Sequence, residues 1–123
     1  MQKVDEYLQV LVESGGSDLH LKAGGPAYVR IDGDLKPVTT LPPVSHVDTE
    51  RLAREMMDAR LLQTFEVARE VDFAYSIEGI GRFRINAFLQ RGSVGIVCRR
   101  VLPGSQSFES LGLPPAVRKL AEE

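Results

Sequence analysis

Tryptophan is absent from this chain, cysteine occurs once and histidine twice. The single cysteine, Cys98, excludes an internal disulfide and fits a reducing compartment. Its β-rich surroundings make it a buried strand residue rather than a reactive thiol. His20 and His46 are far apart and have no cysteine or carboxylate company at ligand spacing, so no metal site is expected. No glycine–lysine P-loop pattern occurs, which excludes nucleotide hydrolysis by this chain alone. Ser17-Asp18 reads as a turn or cap pair, since no histidine is arranged to complete a catalytic triad, and no catalytic residue is assigned. No apolar run approaches the roughly 20 residues that span a bilayer. Charges also interrupt Met1–Glu6, unlike a signal peptide, so a soluble cytoplasmic protein is expected. A basic excess is missing too. Fifteen Lys and Arg stand against 17 Asp and Glu, a formal net charge of −2, which argues against a nucleic-acid partner bound by bulk charge.

What is present is an ordinary globular composition, 43% hydrophobic and 26% charged over 123 residues, enough for one real core. Val4, Leu8, Leu11 and Val12 repeat at helical spacing until Gly15-Gly16. Ser17–Lys22 alternates, with Leu19 and Leu21 inward and Asp18, His20 and Lys22 outward. Asp32-Gly33 between Tyr28–Ile31 and Asp34–Val38 is a hairpin signal. After the stiff Leu41-Pro42-Pro43 connector, Ser45 or Asp48 can cap a helix carrying Leu52, Ala53, Met56 and Met57. Asp58 can cap another, carrying Leu61, Leu62, Phe65 and Ala68. Val71, Phe73, Tyr75 and Ile77 then alternate with polar residues, and Gly79-Ile80-Gly81 turns that strand into the next. The glycine pair opens a strand rather than a helix, so it is not a dinucleotide motif. Helix, strands, helices, strands, without regular strand–helix alternation, predicts an α+β fold: an antiparallel sheet with helices on one side.

The most distinctive stretch is Gly81–Val101. Phe83, Ile85, Ala87 and Leu89 share one face of its first strand, and Arg82, Arg84, Asn86 and Phe88 the other. Arg91-Gly92-Ser93 turns the chain into a second strand that ends in Arg99-Arg100. Guanidinium groups concentrated on two neighbouring strands suit an anion, phosphate most of all, because the planar fork grips two oxygens at once. The same pattern also describes a plain solvated face, with Glu70 and Asp72 as cross-strand partners for the arginines. Past Val101 the chain is loop-forming, then apolar at Phe108, Leu111 and Leu113. A helix starting at Pro115 runs to Glu123 without a stop signal, so the sequence reads as cut rather than finished.

Ser17-Asp18-Leu19-His20-Leu21, followed by Gly24-x-Pro26-x-x-x-Arg30-x-x-Gly33-x-Leu35, resembles the opening of PilT-type pilus-retraction ATPases of the secretion-ATPase superfamily. The resemblance continues through Glu70-x-Asp72-Phe73-Ala74-Tyr75, Arg82-Phe83-Arg84-Ile85-Asn86, Gln90-Arg91-Gly92-Ser93 and Arg99, and closes at Leu111-Gly112-Leu113-Pro114. Ala27 departs from it, standing where the family usually has a second proline. The resemblance implies a PAS-like N-terminal domain over residues 1–103, with residues 104–123 as interdomain linker and start of an absent P-loop motor domain. It further implies a homohexamer that binds ATP and Mg2+ in the full-length protein, with none expected in this piece. Arg82, Arg91 and Arg99, with Arg84 next, would reach the ATP phosphates on the motor domain of the same or a neighbouring subunit. The assembled motor would lie at the cytoplasmic side of the inner membrane, against a pilus platform protein. A related pilus-extension or type II secretion ATPase, or a stand-alone PAS-like sensor, are the alternative readings.

Overall fold

The computed structural model describes residues 3–102, so the expected linker over residues 104–123 lies outside the described residues. Among them are three helices and six strands: α1 (Val4–Glu13), β1 (Asp18–Lys22), β2 (Tyr28–Ile31), β3 (Asp34–Pro37), α2 (His46–Glu55), α3 (Ala59–Ala68), β4 (Glu70–Ile77), β5 (Gly81–Gln90) and β6 (Ser93–Val101). All strands pair antiparallel in one sheet of order β3-β2-β1-β6-β5-β4.

Local signals set most of these elements. Ser45 caps α2 with a reciprocal box: its hydroxyl accepts from the Asp48 N–H, and the Asp48 carboxylate accepts from the Ser45 N–H. Asp58 caps α3 by accepting from the Leu61 N–H. Two-residue loops join β2 to β3 at Asp32-Gly33 and β5 to β6 at Arg91-Gly92. In the second loop φ is 55° at Arg91 and 80° at Gly92, the all-positive pattern of a type I′ turn; arginine tolerates it less well than glycine does.

The β1–β6 pairing closes the sheet. It joins segments some 80 residues apart, a contact that no local pattern announces. In register, Phe73, Ile85, Cys98, Leu19 and Val29 form one inward row; Val71, Ala87, Ile96 and Leu21 form another. All nine are buried, in one cluster with Val4, Tyr7, Leu8 and Leu11 of α1, Leu52 and Ala53 of α2, and Phe65 of α3. The helices therefore share that face of the sheet, and the fold is the expected α+β arrangement. Burial of Cys98 pushes its thiol pKa well up.

Two details differ from the periodicity. On α1, Tyr7 takes the buried place given to Val12, because 4, 7, 8 and 11 make a tighter stripe and the Tyr7 hydroxyl finds the Pro42 carbonyl at 3.1 Å. On α3 only Phe65 is fully buried and Ala68 is exposed, since that helix packs on β4, the edge of the sheet, rather than on its centre.

Candidate functional site

Among the described residues, no helix covers the second face of the sheet. Its residues also line up in register, and one row reads Ala74, Arg84, Arg99, Asp18, Arg30 across β4, β5, β6, β1 and β2. Adjacent strands lie about 4.8 Å apart, so Arg84 and Arg99 stand side by side. The next row reads Asp72, Asn86, Val97, His20, Tyr28. A groove of about 450 Å³ lies over this surface, lined by Asp72, Arg84, Asn86, Val97 and Arg99 among others. On the row beyond, Phe88 lies over Gly95, where a Cβ would meet its ring at 2.6 Å; glycine lets the ring lie flat on β6.

The charges divide unevenly. Asp18 is only 8% exposed, and both its oxygens face arginine: Oδ2 is 3.7 Å from the Arg30 Nε and Oδ1 is 3.5 Å from the Arg99 Nε. Arg30 is also held by the Gly33 carbonyl, which accepts from its Nη1 at 2.9 Å. Glu70 and Asp72 do not pair with the arginines, contrary to the sequence expectation. Both accept from the Asn86 amide at 3.1 Å, because Asn86, not Arg84, is the cross-strand partner of Asp72. Among the described residues, no carboxylate pairs with Arg82, Arg84 or Arg91. Half-buried His20 lies in the next row, and burial holds its pKa below the usual value, so it adds no charge here at neutral pH.

The arginines singled out from sequence do not converge on one point. Arg82, Arg84 and Arg99 share the open face toward one end of β5. Arg91 sits in the turn at the other end, nine residues and about 30 Å away, in a separate hollow of about 320 Å³ with Lys22, Gln90 and Ser93. Arg100, the neighbour of Arg99, points to the opposite side and donates to the Gly16 carbonyl at 3.2 Å. Asp18 is the participant that sequence reasoning missed. Its outward place in the alternation of β1 was the available signal, but its neighbours depend on the long-range β1–β6 register. Among the described residues no three His, Cys, Asp or Glu side chains gather as a metal site, and no helix is long and apolar enough to cross a membrane.

Fold and surface together define a small α+β domain whose described residues form an arginine-lined groove on the sheet face opposite the helices. No family model matches the chain. It is 39% identical over 117 residues to the type IV pilus ATPase PilU of Pseudomonas aeruginosa, covering 95% of this chain and 30% of that protein. It is 34% identical over 119 residues to the type IV pilus retraction ATPase PilT of the same organism, covering 97% of this chain and 34% of that one. The crystal structure of the pilus retraction motor PilT with bound ADP superposes with a TM-score of 0.82 at 40% identity, over 95% of this chain and 34% of the other. The chain is a PilT-type N-terminal domain. It spans about a third of the length of the curated relatives it matches.

Proposed function

We propose that this chain is the nucleotide-proximal, intersubunit domain of a hexameric ATPase that drives type IV pilus retraction and twitching motility. One observation carries the site assignment: Arg84, given no carboxylate by the described residues, stands beside Arg99 over an open groove. Two adjacent guanidinium groups repel each other until an anion comes between them, and a phosphate is the anion that two planar forks fit best. In the assembled motor the anion is the phosphate end of ATP held with Mg2+ on a P-loop domain of the same or a neighbouring subunit. The residues here suit that end of the nucleotide only, since no acidic cluster among those described would hold the metal. A charge-assisted hydrogen bond from each arginine is worth about 1.5–3 kcal/mol. Loss of the terminal phosphate removes that preference for the closed arrangement, so hydrolysis becomes a change of angle between two rigid domains.

Arg91 belongs to the proposal at a different place. About 30 Å from Arg82, it serves a second interface rather than the same phosphate. The boundary near residue 103, with residues 104–123 leading into the motor domain, the cytoplasmic placement against the inner membrane and the pilus platform partner are part of the same reading. The test is turnover of the full-length hexamer beside the melting temperature of this chain. Arg84→Ala, Arg82→Ala and Arg91→Ala should each lower turnover strongly while leaving the fold intact, and the effects of Arg82→Ala and Arg91→Ala should add, because those sites are far apart. A hexamer that keeps normal turnover without Arg84 and Arg82, or a chain that any of these substitutions unfolds, refutes the assignment.

A related pilus motor that is not a retraction ATPase is the second reading, favoured by the PilU relative, described only as a type IV pilus ATPase. Expression in strains lacking either pilus retraction or pilus assembly separates the two by which defect it repairs.

A further inference from the structure

We propose that Asp18 is a resident counter-ion that holds Arg99 until a phosphate displaces it, so that the groove answers to multiply charged anions and not to single ones. This rests on the phosphate reading of the open face and adds to it the residue that sets its threshold.

The asymmetry of the Asp18 contacts is the basis. A carboxylate 8% exposed on an otherwise solvated face is costly unless it is paired. Asp18 has two partners of unequal mobility. Arg30, 37% exposed at its side chain, is fixed at its far end by the Gly33 carbonyl. The Arg99 side chain is 70% exposed and meets Asp18 through Nε at 3.5 Å, with no described residue accepting from its Nη atoms. When Arg99 leaves, Arg30 stays, and the buried carboxylate is never stranded. Arg99 can therefore exchange one anion for another at low cost, while Arg84 waits beside it. A monoanion offers Arg99 no more charge than Asp18 already does, and it must also give up its freedom. Pyrophosphate, or the end of a nucleoside triphosphate, offers more charge and can bridge Arg84 and Arg99 together.

The experiment follows arginine Nε–H signals of the 123-residue chain by NMR, first alone and then with pyrophosphate at low ionic strength. In the absence of ligand, Arg99 Nε–H should be ordered in the wild type and mobile in Asp18→Asn. Equal mobility in the two overturns the latch whatever the ligand does. With pyrophosphate, the initial slope of the Arg84 Nε–H shift should rise about two- to fivefold in Asp18→Asn, the range that an ion pair with an exposed arginine is worth. The rise should vanish when Arg99→Gln is present as well. Asp72→Asn, which removes a carboxylate from the same groove but one bonded to Asn86, should give a smaller rise. A gain from Asp18→Asn that survives Arg99→Gln, or that Asp72→Asn matches, reduces Asp18 to background charge and overturns the proposal. No pyrophosphate response in any variant, with Arg99 nonetheless ordered by Asp18, overturns the phosphate reading beneath it. Asp18→Thr replaces Asp18→Asn if the amide does not fold.

Discussion

Arg84 gives the sharpest test of whether the open face is shaped for stability or for a ligand. It lies exposed and directly opposite Arg99, and the described residues give it no carboxylate. Like charges opposite each other across two strands destabilise a sheet by a fraction of a kcal/mol up to about 1 kcal/mol. Replacing Arg84 by glutamine keeps a polar chain on the strand and removes the repulsion, so the chain should become more stable by about 0.5 kcal/mol. For a domain of this size that raises the melting temperature by about 2–4 °C. The gain is electrostatic between solvated groups. It should be present at about 20 mM salt and gone at about 500 mM, where the Debye length shrinks to about 4 Å. Arg99→Gln should behave differently, since it loses the Asp18 contact together with the repulsion, and the two changes nearly cancel. Thermal melts followed by circular dichroism at both salt concentrations decide the matter. A lower melting temperature for Arg84→Gln, or a rise that salt does not diminish, would show that Arg84 is held by contacts the repulsion argument leaves out.

Other outcomes follow from single contacts. The Tyr75 hydroxyl donates to Asp5 Oδ1 at 3.0 Å, and its pKa is pushed up to about 12, chiefly by burial and then by that hydrogen bond. A raised tyrosine pKa protects the fold below the ordinary value near 10, and the protection is lost as pH climbs from there through the folded value; Tyr75→Phe should cost about 1 kcal/mol at neutral pH and flatten the alkaline loss. His20 has the opposite sign: with its pKa depressed by burial, its contribution is present above about 6.5 and disappears as pH falls through the folded value, so His20→Gln should flatten the acid limb of the stability curve. Native Cys98 should resist a thiol reagent such as DTNB until the chain unfolds, and labelling as fast as for a free thiol would contradict its burial. Calorimetry should find no ATPase activity in this chain and affinity for magnesium–ATP weaker than millimolar; tighter binding would mean that the open face suffices without a P-loop domain.

What could be read in advance and what could not divide along sequence distance. The Ser45 and Asp58 caps, the Asp32-Gly33 and Arg91-Gly92 turns and the alternation of β4 and β5 are each decided within a few residues, and each stands where periodicity and turn chemistry put it. That Arg82 and Arg91 cannot meet was also legible, since an extended strand between them has a known length. The neighbours of Asp18 were not. They depend on β1 entering the sheet beside β6, a pairing chosen by burial of Leu19 and Leu21 against Cys98 and Ile96 across the whole core. The partner of Glu70 and Asp72 was open for a similar reason: the face of β5 was clear, but the stagger between β4 and β5, which favours Asn86 over Arg84, was not.

The central position of β6 has a mechanical consequence. The strand ends at Val101, and it lies between β1 and β5, bonded to both. A pull at Leu102 directed along the strand loads the hydrogen bonds of β6 in shear, where an edge strand would set one ladder against it. It must shear two ladders together, one on each side. The arginine row crosses that same strand at Arg99, two residues before its end. A load on that end of β6 and the row that carries Arg99 therefore share one segment paired on both sides.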